Sequence, residues 1–289
     1  MNKLIAVGII FFWGYSCDEN QPKEVAAIAS STLSITTETC VDFDALNDKI
    51  RDQLISTEDA LGLVQKLLPK LKAYFYENGG QDFPKSDWVF PVQGYNSKAI
   101  GGTNGSGYIA NGYDYFDGNK HGGHPALDIF IYDKNQDCID DITRKPVNVL
   151  SMTGGIVVAT ETAWDTTSNL RGGKYIWVYD PLSNSLFYYA HNNEILVKPC
   201  DILKPGDTIA AIGRTGLNAF KKRSPTHLHI MQLELDKNNY PKPVNCYKDL
   251  IICCTTPSLP PEYPQTTHPP HKKNPGHSFQ RPGTTQKSS

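Results

Sequence analysis

Five short runs dominated by β-branched and aromatic residues, GGIVVAT, KYIWVYD, SLFYYAH, DTIAAIG and HLHIMQLEL, recur between turns rich in Gly, Pro, Asn and Asp. Runs of this length and composition read as strands, and no helical pattern alternates with them as a βαβ fold would require. Residues 83–254 are therefore expected to form a mainly β domain, a small antiparallel sheet structure. With 289 residues and 39 % hydrophobic composition, the chain has enough apolar material for one sizeable core and a small accessory unit.

A helical segment is expected before the strands, over residues 41–82. Ser56 is placed to cap a helix with Asp59 three residues on, and Leu61, Val64, Leu68, Leu71 and Phe75 then recur at helical spacing. Pro69 marks an expected kink, and Gly79 and Gly80 end the pattern. The flanks differ in composition. Residues 1–16 join Lys3 to an apolar run too short to span a bilayer as a mature helix, and read as a secretory signal. Gly14 and Ser16 give a small-x-small pattern before Cys17 that resembles the lipobox of bacterial lipoproteins, with Gly14 and Tyr15 where aliphatic and small residues usually stand. Lipid on Cys17 would attach the protein to a membrane; simple secretion and an uncleaved anchor are the alternatives. Residues 17–40 suit a flexible tether, and residues 255–289, rich in Pro, Thr and Ser, read as a disordered tail. His268, His271 and His277 in that tail suggest adventitious metal contact at most.

Charge is nearly balanced, 28 Lys+Arg against 30 Asp+Glu, which gives no electrostatic case for nucleic acid or an anionic membrane surface. Export would permit disulfides among Cys40, Cys138, Cys200, Cys246, Cys253 and Cys254, whose connectivity the sequence leaves open. Without paired C-x-x-C spacing they read as structural cysteines, not zinc ligands.

Chemistry is carried by three short segments. In HPALD, His124 and Asp128 are four residues apart; a fully extended strand would separate them by about 13 Å, so the chain must bend at Pro125 for both to reach one ion, as a loop feeding the IFIY strand would do. In HLH, His227 and His229 project from the same face of a strand, roughly 7 Å apart, so that one can bind a metal while the other reaches a bound water. His191 ends the alternation of SLFYYAH and can reach the same cleft from a neighbouring strand, or be an oriented core residue. Catalytic zinc is typically held by three N or O ligands with a fourth position left for water. His121 is a further candidate for orienting a ligand or substrate, and Tyr113 and Tyr115 for lining a groove or for packing.

The order H-x-x-x-D (HPALD), aromatic-Ala-His (YAH), G-x-T-G (GRTG) and H-x-H (HLH) resembles the lysostaphin/LytM-type zinc endopeptidases of bacterial cell walls. The resemblance covers roughly residues 90–235, including VFPVQGY and LKPGDTIAAIG, and omits the helical segment and the tail. It implies a small antiparallel β domain with an open groove, Zn2+ held by His124, Asp128 and His229, and catalysis by His191 and His227 flanking the water and the developing oxyanion. It also implies peptidoglycan peptides as substrate and a location in the cell envelope. With no motif residue missing, the set speaks against a metal-free module that binds the wall or activates other hydrolases. A secreted zinc peptidase acting on proteins or small peptides would use the same residues. No H-E-x-x-H is present, so a histidine would have to act as base.

Overall fold

The computed structural model describes residues 38–253. The proposed signal, Cys17, most of the tether, Cys254 and the tail lie outside the described residues. Two helices come first, α1 over residues 38–51 and α2 over Thr57–Glu77. Ten strands follow: β1 (Leu127–Phe130), β2 (Asn148–Leu150), β3 (Gly155–Glu161), β4 (Lys174–Asp180), β5 (Ser185–Asn192), β6 (Glu194–Ile195), β7 (Ile202–Leu203), β8 (Thr208–Ala211), β9 (His227–Leu235) and β10 (Pro241–Val244). A short helix, α3 (Tyr247–Cys253), closes the described chain.

The architecture is an antiparallel β domain preceded by two N-terminal helices. A seven-stranded sheet runs β1-β9-β5-β4-β3-β7, with β10 also paired to β9, and a three-stranded sheet runs β2-β8-β6. The strand runs of β4 are apolar without alternation because both faces of the large sheet are covered. Ile176 and Val178 pack with Val149, Ile209 and Ala210 of the small sheet, whereas Tyr175, Trp177 and Tyr179 pack with Phe43, Leu46, Val64 and Leu71 of the helices. Period-two projection sends successive side chains into different cores.

Ser56 caps α2 as its position suggests, accepting from the backbone N–H of Asp59 and donating to its carboxylate at 2.6 Å. The helix continues through Pro69 and buries Val64, Leu68, Leu71 and Phe75 on one face. Two features differ from expectation. The helical segment is two helices, and the first includes residues 38–40, inside the stretch assigned to a tether. Cys40, Phe43, Leu46 and Ile50 form its buried stripe. Cys40 is joined to Cys200 across 160 residues of sequence, which fastens α1 to the loop before β7. Among the described residues, Cys138 and Cys246 are unbridged.

Candidate metal centre

The pairing of β1 with β9 brings the first and last segments together. Asp128 lies directly opposite His229 and Phe130 opposite His227, while Leu127, Ile129, Leu228 and Ile230 point into the core between the two sheets. Asp128 is thus inside a strand that starts at Leu127, earlier than the IFIY run suggests. His124 stands before the strand, in a bridge with Ile109 whose two backbone bonds are 2.7 and 2.8 Å long. This fixes the bend at Pro125 and returns His124 Nε2 to 3.3 Å from Asp128 Oδ1. His229 Nδ1 is 3.1 Å and His227 Nε2 3.7 Å from the same oxygen. Ligand atoms of His124, Asp128 and His229 all lie within 4.8 Å of one another.

His191 reaches the cluster by a different device. Ala190 pairs with His229 across β5 and β9, so simple alternation would turn the next side chain toward the core between the sheets. The ladder between β4 and β5 instead slips: Lys174 pairs with Asn192 but Ile176 with Tyr189, leaving one extra residue on β5. His191 sits in this bulge with φ of 68°, and its ring ends 4.9 Å from that of His227 and 5.3 Å from that of His229. Bulges re-aim single side chains in this way. Glycines make the room: a Cβ on Gly216, at φ of 114°, would come 2.4 Å from the carbonyl of Arg171 and 2.9 Å from His191 Nδ1.

Backbone carbonyls settle which nitrogen of each ring faces the cleft. Nδ1 of His124 contacts the carbonyl of Gly107 at 2.9 Å, Nδ1 of His191 that of Thr215 at 2.8 Å, and Nδ1 of His227 that of Pro225 at 2.7 Å. A carbonyl only accepts, so each Nδ1 carries the proton, and in the neutral ring Nε2 keeps a lone pair. His229 alone turns Nδ1 toward Asp128. Burial pushes the Asp128 carboxyl up, but the charge of His227 and the bonds from His124 and His229 outweigh it and hold the group well below the usual carboxylate range. Burial lowers His229 to about 4 against the pull of Asp128, and burial with the neighbouring His227 and His229 holds His191 well below the usual histidine range. For His124 the bond to Asp128 overcomes burial and raises the pKa. An ionised carboxylate beside two imidazoles, one of them with its far nitrogen on a backbone carbonyl, is a donor set that zinc takes.

His121 lies apart from this cluster. Its Nδ1 contacts the Gly122 carbonyl at 2.8 Å, its ring stands edge-on to Tyr113 at 4.8 Å, and its own carbonyl accepts from Arg171 Nη1. Tyr115 is buried against Trp177, while Tyr113 lines a cavity with His121. Gly107 and Pro225 carry no sequence signal because they act through backbone carbonyls, which no side-chain motif reveals; Thr215 stands in the GRTG run and acts through its carbonyl too. Gly172 and Gly173 did carry a signal, since paired glycines often mark close backbone approach; a Cβ on Gly173 would meet the backbone of Thr215 at 2.3 Å.

Residues 135–243 match the sequence profile of Peptidase family M23, a span that includes His191, His227 and His229 and begins after His124 and Asp128. Among solved structures, the chain is similar to a putative glycyl-glycine endopeptidase lytM from Ruminococcus gnavus, at 26 % identity over 44 % of this chain and 45 % of that one, TM-score 0.34. It is also similar to the catalytic domain of the antimicrobial peptidase lysostaphin from Staphylococcus simulans, at 24 % identity over 42 % of this chain and 76 % of that one, TM-score 0.30. A third is a zinc containing peptidase from Vibrio cholerae, at 19 % identity over 59 % of this chain and 42 % of that one, TM-score 0.34. The matched part spans less than half the length of the first of these.

Proposed function

We propose that this chain, whose residues 135–243 match the profile of Peptidase family M23, is a zinc-dependent endopeptidase hydrolysing the peptide cross-links of bacterial peptidoglycan. The observation that carries this reading is the convergence of His124 Nε2, Asp128 Oδ1 and His229 Nδ1 from two paired strands and the bend before them. These three would hold the ion. Zinc, when bound, supplies Lewis acidity and lowers the pKa of a water toward about 7.

The other two histidines do proton work. His191 and His227 present Nε2 to the cleft, each ring locked by its Nδ1–H on a backbone carbonyl. One Nε2 accepts the proton of a water attacking a peptide carbonyl; the other, protonated, donates to the carbonyl oxygen as charge develops there, and a proton then passes to the leaving amine. Burial of His227, at 5 % exposure, keeps bulk water from competing for its single free nitrogen. A cell-envelope location, with lipid on Cys17, accords with this substrate.

Digestion of purified peptidoglycan, followed by mass analysis of the muropeptides, tests the reading. Cut peptide cross-links without new reducing sugar ends are expected, since no carboxylate pair in the cleft suits glycosidic chemistry. Cut glycan with intact cross-links, or cleavage of casein alone, would overturn the choice of substrate.

A further inference from the structure

Beside the metal centre lies a cavity whose charge is one-sided. Met231 follows His229 on the same face of β9, roughly 7 Å along the strand. Its cross-strand neighbour is Tyr188, whose neighbour on β4 is Trp177. These three side chains floor a cavity of about 70 Å3, several times the 10–15 Å3 or so that admits a single water on such a measure. The Tyr188 ring lies 6.1 Å from that of His229, so the cavity begins one rung from the ligands. Tyr113, His121 and Arg171 form its walls, α1 contributes Arg51, and no carboxylate lines it.

The two guanidinium groups differ. Arg51 is neutralised by Asp48, Asp52 and Glu161, each at 2.7 Å. Arg171 spends one nitrogen, Nη1, on the carbonyl of His121, and forms no ion pair with a carboxylate among the described residues. A positive fork is thereby oriented by a backbone bond, set among aromatic rings that lower the local dielectric, and left with its charge unmatched. Arginine in such a setting suits the planar geometry of a carboxylate.

We infer that Arg171 and the cavity floored by Trp177, Tyr188 and Met231 form a carboxylate subsite. The peptides this centre handles carry a free carboxylate, at a chain terminus or on a side chain, within one or two residues of the bond that is cut. The inference deepens the peptidase reading and rests on it for the word substrate; binding of a carboxylate does not depend on turnover.

The test uses the full-length protein as purified and two matched pairs of small ligands that contain no scissile cross-link. Acetyl-diglycine against its amide probes a terminal carboxylate; acetyl-glutamate amide against acetyl-glutamine amide probes a side-chain one. Calorimetric titration should show one acid bound about 10- to 100-fold more tightly than its amide, the range for a hydrogen bond to a charged group. The pair that discriminates identifies the source of the carboxylate. Arg171→Gln should bring that ratio close to one, and Arg171→Lys should retain part of it. Equal binding of acid and amide in both pairs overturns the subsite, and so does a preference that survives in Arg171→Gln, which would place the carboxylate on the metal instead. If Arg171→Gln does not fold, the wild-type ratio and Arg171→Lys decide alone. Selective acid binding by a protein that leaves peptidoglycan uncut would sink the peptidase reading and leave the subsite standing.

Discussion

The five candidate site residues divide by what each has left to offer. Ligand atoms of His124, Asp128 and His229 all lie within 4.8 Å of one another, so removing any one of them should release zinc. Alanine variants at these three positions are expected to lose the metal, whereas His191→Ala and His227→Ala should retain it and lose activity by about 10²-fold or more, the scale of a positioned acid–base group. Elemental analysis beside turnover on each folded variant separates the two classes. A reversal between His227 and His229 would reverse their roles. The glycine behind His191 makes a second prediction: Gly216→Ala places a Cβ against the Arg171 carbonyl at a φ of 114°, and should cost about 1–3 kcal/mol of stability in urea unfolding while moving the His191 ring. The ligand types and their order were readable from the sequence because H-x-x-x-D and H-x-H are side-chain patterns. The way His191 reaches the cleft was not, because a bulge is set by the register between β4 and β5, which neither strand encodes alone.

Secondary elements show the same division between local and non-local information. β3, β4, β5, β8 and β9 coincide with the five strand-like runs; β3, β4, β5 and β9 are apolar on faces that both find cover, and β8 buries Ile209 and Ala210 in the core between the sheets. The two-residue strands β6 and β7 leave almost no local pattern and exist through their partners β8 and β3. α1 was legible in part: residues 41–51 fall in the expected helical segment, whereas residues 38–40 end a polar, small-residue stretch that reads as a tether. α2 had its cap as a local signal. Ser56→Ala removes the acceptor for the Asp59 N–H and is expected to lower stability by about 1 kcal/mol, measured as a shift in the urea midpoint at unchanged slope.

Across the whole molecule, the helices and the metal centre share one face of the large sheet. β9 contributes His227 and His229 at one end of that face and Met231, Leu233 and Leu235, packed with the helices, at the other. The Cys40–Cys200 bridge closes a loop of 160 residues between α1 and the sheet domain. Replacing both cysteines by serine should cost about 3–5 kcal/mol by the loop-entropy estimate, read from equilibrium unfolding without reductant.

The sheet order also has a meaning in time. β9 is made late in the chain yet lies between β1 and β5, and β1 has no other strand neighbour in its sheet. A polypeptide emerging from its amino end would display His124 and Asp128 roughly a hundred residues before their third companion, with isolated bridges from Ile100 to Ile129 and from Ile109 to His124 but no strand ladder on the first strand until the ninth slots in. The set that would hold a metal is thus completed only when synthesis of the domain is nearly over. A chain that stops at Thr226 should therefore take up no stoichiometric zinc in equilibrium dialysis.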